Sequence, residues 1–335
     1  MGQKKNILTD SFHRKHSYLR ISLTERCNLR CSYCMPAEGI PLSPKSHIMS
    51  FDEIESIART FVRNGVTKIR LTGGEPLIRK DFPVILKKLS LLPVELALTT
   101  NGVIVDRYLE AFKECNLTKI NLSLDSLDRD KFKEITRRNS FDKVFANMLL
   151  LLEKGFTVKL NVVLIRGFNE DEIMDFIQLT KDLPITIRFI EFMPFDGNKW
   201  NIDNMVSYRE IMDVLSNANN SETIVRLKDS PNDTSKNYRI EGYTGSFAII
   251  SSVTNPFCDS CNRIRLTANG HIKNCLFSST ETDLLTPLRK GESIEPLIEK
   301  VMASKFFMRG GMDTLEKLKD SDLHSMNRSM IAIGG

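Results

Sequence analysis

Six short β-rich runs, alternating with helical patterns, constrain this chain more than any other feature. They lie at residues 18–23, 68–72, 95–100, 119–124, 158–165 and 185–192. The clearest helical pattern starts at Phe51. Ser50 and Glu53 form a capping box, Ile54, Ile57, Ala58, Phe61 and Val62 share one face, and Gly65 stands where a C-terminal cap belongs. Further helices are predicted at 82–91, 105–115, 141–154 and 169–182. Repeated strand–helix units imply parallel strands joined by right-handed crossovers, hence an α/β fold. Eight units would close a barrel. Six predict an open partial barrel or a doubly wound sheet, and periodicity alone does not choose. In both, sites gather at the C-terminal ends of the strands.

After Trp200 the pattern changes. A helix is predicted at 207–216, a polar, turn-rich linker or exposed loop at 217–236, and β structure at 238–277 with a hairpin turn at Asn269-Gly270. Helical patterns return at 293–307 and 312–318. The division is therefore placed at two domains, 1–200 and 201–335, which a chain of 335 residues accommodates.

The net charge of +5 is too small to argue for nucleic acid. No apolar run approaches the ~20 residues of a membrane span, and Met1–Asp10 lacks an apolar signal core. Met1-Gly2 is followed by Asn6 where myristoylation needs Ser or Thr. The expected location is cytoplasmic, where seven cysteines read as metal ligands or free thiols rather than disulfides.

Cys27, Cys31 and Cys34 form a C-x3-C-x2-C loop directly after the first β run, opened by Thr24-Glu25-Arg26. Three thiolates hold three corners of a [4Fe–4S] cluster and leave one iron open. Structural zinc wants four ligands, and none is nearby to make the fourth. Cys258, Cys261 and Cys275 form a second group, and the Asn269-Gly270 hairpin returns Cys275 towards Cys261. Spacing alone leaves a second cluster and a zinc site with His271 equally open here. Cys115, without a cysteine partner in sequence, reads as a small buried hydrophobe. The five histidines form no metal-spaced cluster.

Arg20, Arg70, Lys159, Arg263 and Arg265 are cations on or beside predicted strands. Guanidinium groups grip phosphate oxygens in pairs, and Arg263 and Arg265, two apart, share one strand face. A solvated sheet face explains any one of them equally well. Taken singly, Thr99 and Ser123 read as core hydroxyls, Met193 as packing, and Gly334-Gly335 as a frayed end.

Two features together change that reading. Tyr33 precedes the last cysteine of the first loop, and Leu71-Thr72-Gly73-Gly74-Glu75-Pro76 follows the second β run. This pairing resembles the radical S-adenosylmethionine (SAM) superfamily. Within it, nearly the whole chain is similar to the GTP 3′,8-cyclase family of molybdenum-cofactor biosynthesis. The segments Leu98-Thr99-Thr100-Asn101-Gly102, Asn121-Leu122-Ser123-Leu124-Asp125 and Arg188-Phe189-Ile190-Glu191-Phe192-Met193 carry the likeness. The most specific is Phe257-Cys258-Asp259-Ser260-Cys261-Asn262-Arg263-Ile264-Arg265, with Cys275 fourteen positions after Cys261.

The resemblance implies an incomplete (β/α)6 parallel barrel of radical SAM type, with a C-terminal α+β extension closing the open side. It implies two [4Fe–4S] clusters, one on Cys27, Cys31 and Cys34 and one on Cys258, Cys261 and Cys275. SAM contacts fall on Tyr33, Gly74, Ser123 and Met193. GTP contacts fall on Arg20, Arg70, Thr99, Lys159, Arg263 and Arg265. The catalytic residues would be Arg263, Arg265 and the tail glycines Gly334 and Gly335, which reach into the active site. The implied reaction turns GTP into (8S)-3′,8-cyclo-7,8-dihydroguanosine 5′-triphosphate through a 5′-deoxyadenosyl radical. An external one-electron donor would feed it, and cyclic pyranopterin monophosphate synthase would receive the product. A homodimer fits the same picture, and neither nucleic acid nor membrane is implied as a partner. The competing readings are a peptide-modifying radical SAM enzyme with an auxiliary cluster and a non-enzymatic zinc-binding interaction protein.

Overall fold

The six β runs form six parallel strands in the computed structural model, which describes residues 6–36, 38–218 and 223–334. They are β1 (Tyr18–Ser22), β2 (Lys68–Thr72), β3 (Glu95–Thr100), β4 (Lys119–Ser123), β5 (Thr157–Leu164) and β6 (Thr186–Glu191). Each pairs with the next in chain order. The crossovers carry α1 (Phe51–Arg63), α2 (Phe82–Ser90), α3 (Leu109–Glu114), α4 (Arg129–Thr136), α5 (Phe141–Glu153) and α6 (Ile173–Asp182).

A period of two explains how these strands sit. Successive side chains of a strand point to opposite faces. Leu19, Ile21, Ile69, Leu71, Leu98, Ile120, Leu122, Ile187 and Phe189 form one set, and all join the main apolar core with the helices. The alternate set is mostly polar, namely Arg20, Thr72, Thr99, Asn121, Ser123, Asn161 and Arg188, with Val163 and Ile190 among them. It lines a single cavity.

The capping box of α1 is present. Ser50 Oγ accepts from the Glu53 N–H at 3.2 Å, and Glu53 Oε2 accepts from the Ser50 N–H at 2.6 Å. The helix buries Ile54, Ile57, Ala58 and Phe61, and burying Phe61 alone contributes about 2 kcal/mol. The expected helix at 105–115 opens instead as a 3-10 turn, and only Leu109–Glu114 is α-helical. Helix α4 is absent from the sequence-based expectation. It is eight residues long and mostly charged, with a core stripe of only Phe132, Ile135 and Thr136, too short to read as periodic. Its start is set by Asp128, whose carboxylate accepts from the Asp130 and Lys131 N–H groups at 2.8 and 2.9 Å.

The second half of the chain continues the same sheet. Helix α7 (Tyr208–Ala218) precedes β7 (Ile224–Arg226), β8 (Lys236–Ile240), β9 (Ser246–Ile250), β10 (Arg263–Leu266), β11 (His271–Lys273) and β12 (Thr282–Asp283). The sheet order is β12-β11-β10-β1-β2-β3-β4-β5-β6-β9-β8-β7. Strand β10 lies parallel to β1, and β9 lies parallel to β6. The C-terminal part thus adds one parallel strand to each edge of the six, with antiparallel strands beyond. No ladder joins β9 to β10 among the described residues, so the barrel is incomplete. The polar segment 217–236 is not all loop, because β7 lies within it and pairs with β8.

Candidate active site

Both cysteine groups face one cavity at the polar side of the sheet. It encloses about 1720 Å³ of empty space, open mouth included, and Cys27, Cys31, Cys34, Cys258, Cys261 and Cys275 all line it. All six are free thiols.

The first group is held by the glycine turn after β2. The Gly74 N–H donates to Thr24 O at 2.7 Å, and the Glu75 N–H donates to Arg26 O at 2.8 Å. A Cβ on Gly74 would stand 2.2 Å from Arg26 O, so only glycine permits this backbone-to-backbone docking. Glu75 is buried and accepts from Thr100 Oγ1, the Leu77 N–H and the Asn101 N–H at 2.8, 3.0 and 2.7 Å. Burial pushes its carboxyl up to about 7 despite those bonds. Asn101 Nδ2 in turn donates to Cys27 Sγ at 3.6 Å. Burial, with the Glu75 charge second, pushes the Cys27 thiol up to about 11. Burial also raises Cys31 and Cys34, and the Asp125 carboxylate adds to both. Tyr33 Oη donates to Asp125 Oδ2 at 2.8 Å, tying the loop to the end of β4. Burial pushes Asp125 up to about 6.

The second group lies in a cationic setting. Lys305 Nζ donates to Cys261 Sγ at 3.5 Å. Burial pushes the Cys261 thiol up, but the Arg263 and Lys305 charges outweigh it and bring it to about 6. Cys275 packs against a separate small core of Met205, Val253, Phe277, Met312 and Leu318. The hairpin returns the chain as expected, with Arg265 opposite Lys273. His271 instead places Nδ1 3.2 Å from Asn269 O. Among the described residues no three His, Cys, Asp or Glu side chains are grouped to hold a single metal ion. Cubane thiolates stand farther apart, since each binds its own iron. Three free thiols per group, converging on one cavity, fit that donor set.

Strand register assembles the cations. Arg265, Arg20 and Arg70 are direct neighbours across β10, β1 and β2. Thr99, Asn121 and Lys159 are neighbours across β3, β4 and β5, and Ser123, Asn161 and Arg188 across β4, β5 and β6. Arg20, Arg263, Arg265, Thr99, Tyr33, Gly74, Ser123 and Met193 line the cavity with the cysteines. Arg70, Lys159 and Gly334 are not part of that lining. Arg70 donates to Tyr18 Oη and, at 2.9 Å, to Leu98 O. Burial and the Arg188 charge lower the Lys159 ammonium. Arg265 donates to Gly334 O, where a Cβ would meet Thr72 Oγ1 at 2.6 Å. The tail therefore touches the cavity wall, and Gly335 lies outside the described residues.

Sequence reasoning missed Arg188, Asn161, Asn121, Asp125 and Arg309, which also line the cavity. The signal for Arg188 was a cation in the middle of the alternating run Thr-Ile-Arg-Phe-Ile-Glu. Segment 217–236 was also assigned nothing, yet Thr234 lines the cavity and Asn232 O accepts from Arg263 at 3.2 Å. The Nε atoms of Arg20 and Arg188 are buried and have no acceptor among the described residues. Burial lowers both guanidiniums, and the Arg70 charge adds to it. Burial raises the Tyr18 phenol, but the Arg70, Arg20 and Lys68 charges outweigh it and bring it to about 7.

An incomplete parallel barrel, with a three-cysteine loop after its first strand and a glycine turn after its second, defines the radical SAM class. The radical SAM superfamily model matches residues 21–180, and the Molybdenum Cofactor Synthesis C model matches residues 185–307. The chain is 47% identical over 336 residues to the mitochondrial GTP 3′,8-cyclase of Arabidopsis thaliana, covering 98% of this chain and 84% of that one. It is 41% identical over 332 residues to the GTP 3′,8-cyclase of Alkaliphilus oremlandii, covering 98% and 100%. It is 45% identical over 332 residues to molybdenum cofactor biosynthesis protein 1 of Homo sapiens, covering 97% of this chain and 51% of that one. The chain thus spans about half the length of that human relative, as it does of several others. The chain belongs to the GTP 3′,8-cyclase family of molybdenum-cofactor biosynthesis. Among solved structures, Streptococcus suis SuiB bound to S-adenosylmethionine superposes with a TM-score of 0.59 at 16% identity, covering 93% of this chain and 72% of that one. That likeness is one of fold. No helix among the described residues is long and apolar enough to cross a membrane.

Proposed function

We propose that this chain converts GTP into (8S)-3′,8-cyclo-7,8-dihydroguanosine 5′-triphosphate, the first step of molybdenum-cofactor synthesis. The observation that carries the reading is two cysteine trios and the guanidiniums of Arg20, Arg188, Arg263 and Arg265 around one cavity. Cys27, Cys31 and Cys34 would hold one [4Fe–4S] cluster, and Cys258, Cys261 and Cys275 a second, each with one iron left for a ligand. Such a first cluster, with SAM and an electron, would supply the one-electron chemistry that forms a 5′-deoxyadenosyl radical, the species that would take the ribose 3′-hydrogen.

The protein's own part is to bind, orient and keep water away. The Gly73-Gly74 turn lets backbone approach the SAM amino group, with Tyr33, Ser123 and Met193 as further contacts. Arg20, Thr99, Arg188, Arg263 and Arg265 receive GTP in the cavity, and Arg70 and Lys159, beside Arg20 and Asn121 in the sheet, add positive charge behind its wall. The unpartnered Nε atoms of Arg20 and Arg188 gain acceptors from an anionic ligand, which offsets the desolvation of these charges. Arg265 holds Gly334 O, which keeps Gly334 at the cavity wall, where it would border the reacting sugar. Residues 1–200 thus supply the radical, and 201–335 the second cluster and much of the GTP site. An external reductant, cyclic pyranopterin monophosphate synthase as recipient and a cytoplasmic setting complete the reading.

Anaerobic incubation with GTP, SAM and reductant tests it. The expected result is a 3′,8-cyclised nucleotide formed together with 5′-deoxyadenosine. Absence of that nucleotide from protein carrying both clusters overturns it.

A further inference from the structure

Lys305 is buried at 4% exposure, immediately beyond the helix Glu295–Ala303. A buried ammonium needs an anionic or strongly polar partner for each N–H it presents. The three that Lys305 finds are His16 Nε2 at 2.9 Å, Arg263 O at 3.3 Å and Cys261 Sγ at 3.5 Å. None is a carboxylate. The nearby carboxylate, Asp10, is committed to Arg14, whose Nε it accepts at 2.6 Å. His16 Nδ1 lies 3.1 Å from Leu8 O, which fixes the ring proton on Nδ1 and leaves Nε2 as an acceptor for Lys305. With Asp10 paired to Arg14, the Cys261 sulfur is the one hydrogen-bond partner of Lys305 among the described residues that can carry a balancing negative charge.

The two cysteine groups differ in this respect. Cys27 Sγ accepts from neutral donors, Asn101 Nδ2 and the Leu29 N–H, and the leading charges that act on the Cys27 and Cys31 thiols are the carboxylates Glu75 and Asp125. Cys261 alone among the six has an ammonium at hydrogen-bond distance among the described residues. Hydrogen bonds and positive charge at cluster sulfurs favour the reduced, more negative state.

We propose that Lys305, held by His16 and the Arg263 carbonyl, is a positioning residue that donates an N–H···S bond to Cys261 and sets the reduction potential of the second cluster. This rests on the two-cluster reading above. The test is a reductive titration of the anaerobic holoenzyme, each cluster followed by its electron paramagnetic resonance signal, for the parent, Lys305→Met and Lys305→Arg. In Lys305→Met the second cluster's potential should move negative while the first stays put, and Lys305→Arg should recover most of the shift. An unmoved second-cluster potential in loaded Lys305→Met overturns the proposal. Should that variant fail to hold its second cluster, parent enzyme labelled with ¹⁵N-lysine decides. A ¹⁵N coupling to the reduced second cluster in pulsed spectra supports the bond, and its absence overturns it. A parent holding only four irons would remove the two-cluster reading itself, and this proposal with it.

Discussion

Gly74 sits where two backbones meet, so its lack of a side chain is a requirement. The Arg26 carbonyl that a Cβ would strike is already bound by the Glu75 N–H and cannot retreat freely. Gly74→Ala should cost about 1–3 kcal/mol of overpacking, read as a roughly ten- to hundredfold weaker SAM affinity in equilibrium binding. Unchanged affinity would mean that the turn does not shape the SAM site. His16 makes a pH prediction. Burial first, then the Lys305 charge, hold its imidazole down at about 3, against an ordinary value of 6.5. The unfolded chain therefore takes up this proton at a higher pH than the folded one. The associated stability is complete above about 6.5 and is lost as pH falls towards about 3. The midpoint of urea unfolding should drop more steeply over that window in the parent than in His16→Gln, and equal slopes would contradict the assignment. The glycine turn was legible in the sequence, but the surroundings of His16 were not, since it is one of five scattered histidines. Its partner Lys305 lies 289 positions away.

At the scale of elements, local pattern carried far. Strands β1 to β6 were legible to within a residue or two because they are short β-rich runs set between helical patterns, and α1 because Ser50 and Glu53 mark its start. Helix α4 was not, since its core stripe is too short to set a period. Pairing was the larger gap. Arg20 stands between Arg265 and Arg70 only because β10 lies beside β1, a contact between strands some 245 positions apart that no local period encodes. That row gives a prediction. Arg265→Ala should weaken GTP binding by about 1.5–3 kcal/mol, the range for a hydrogen bond to a charged group, and SAM binding much less. Equal losses for both ligands would refute a GTP role. Gly334→Val should collide with Thr72 and Ser22 and lower cyclised product with iron content retained. A variant of normal activity would place the tail outside the reaction.

For the whole molecule, one cavity shared by both cysteine trios matters most. The first trio was legible from three cysteines and a glycine turn. The second was ambiguous by spacing, and its meaning comes from a sheet that carries β9 and β10 to opposite edges of the same barrel. Anaerobically reconstituted protein should hold about eight irons, four per cubane, and Cys258→Ala about four. That variant should still cleave SAM but yield no cyclised nucleotide. The most direct measurement is release of 5′-deoxyadenosine by the reconstituted, reduced parent with and without GTP. The account predicts that GTP strongly stimulates release, with cyclised nucleotide accumulating alongside. Release at the same rate in both, with GTP recovered unchanged, would contradict it.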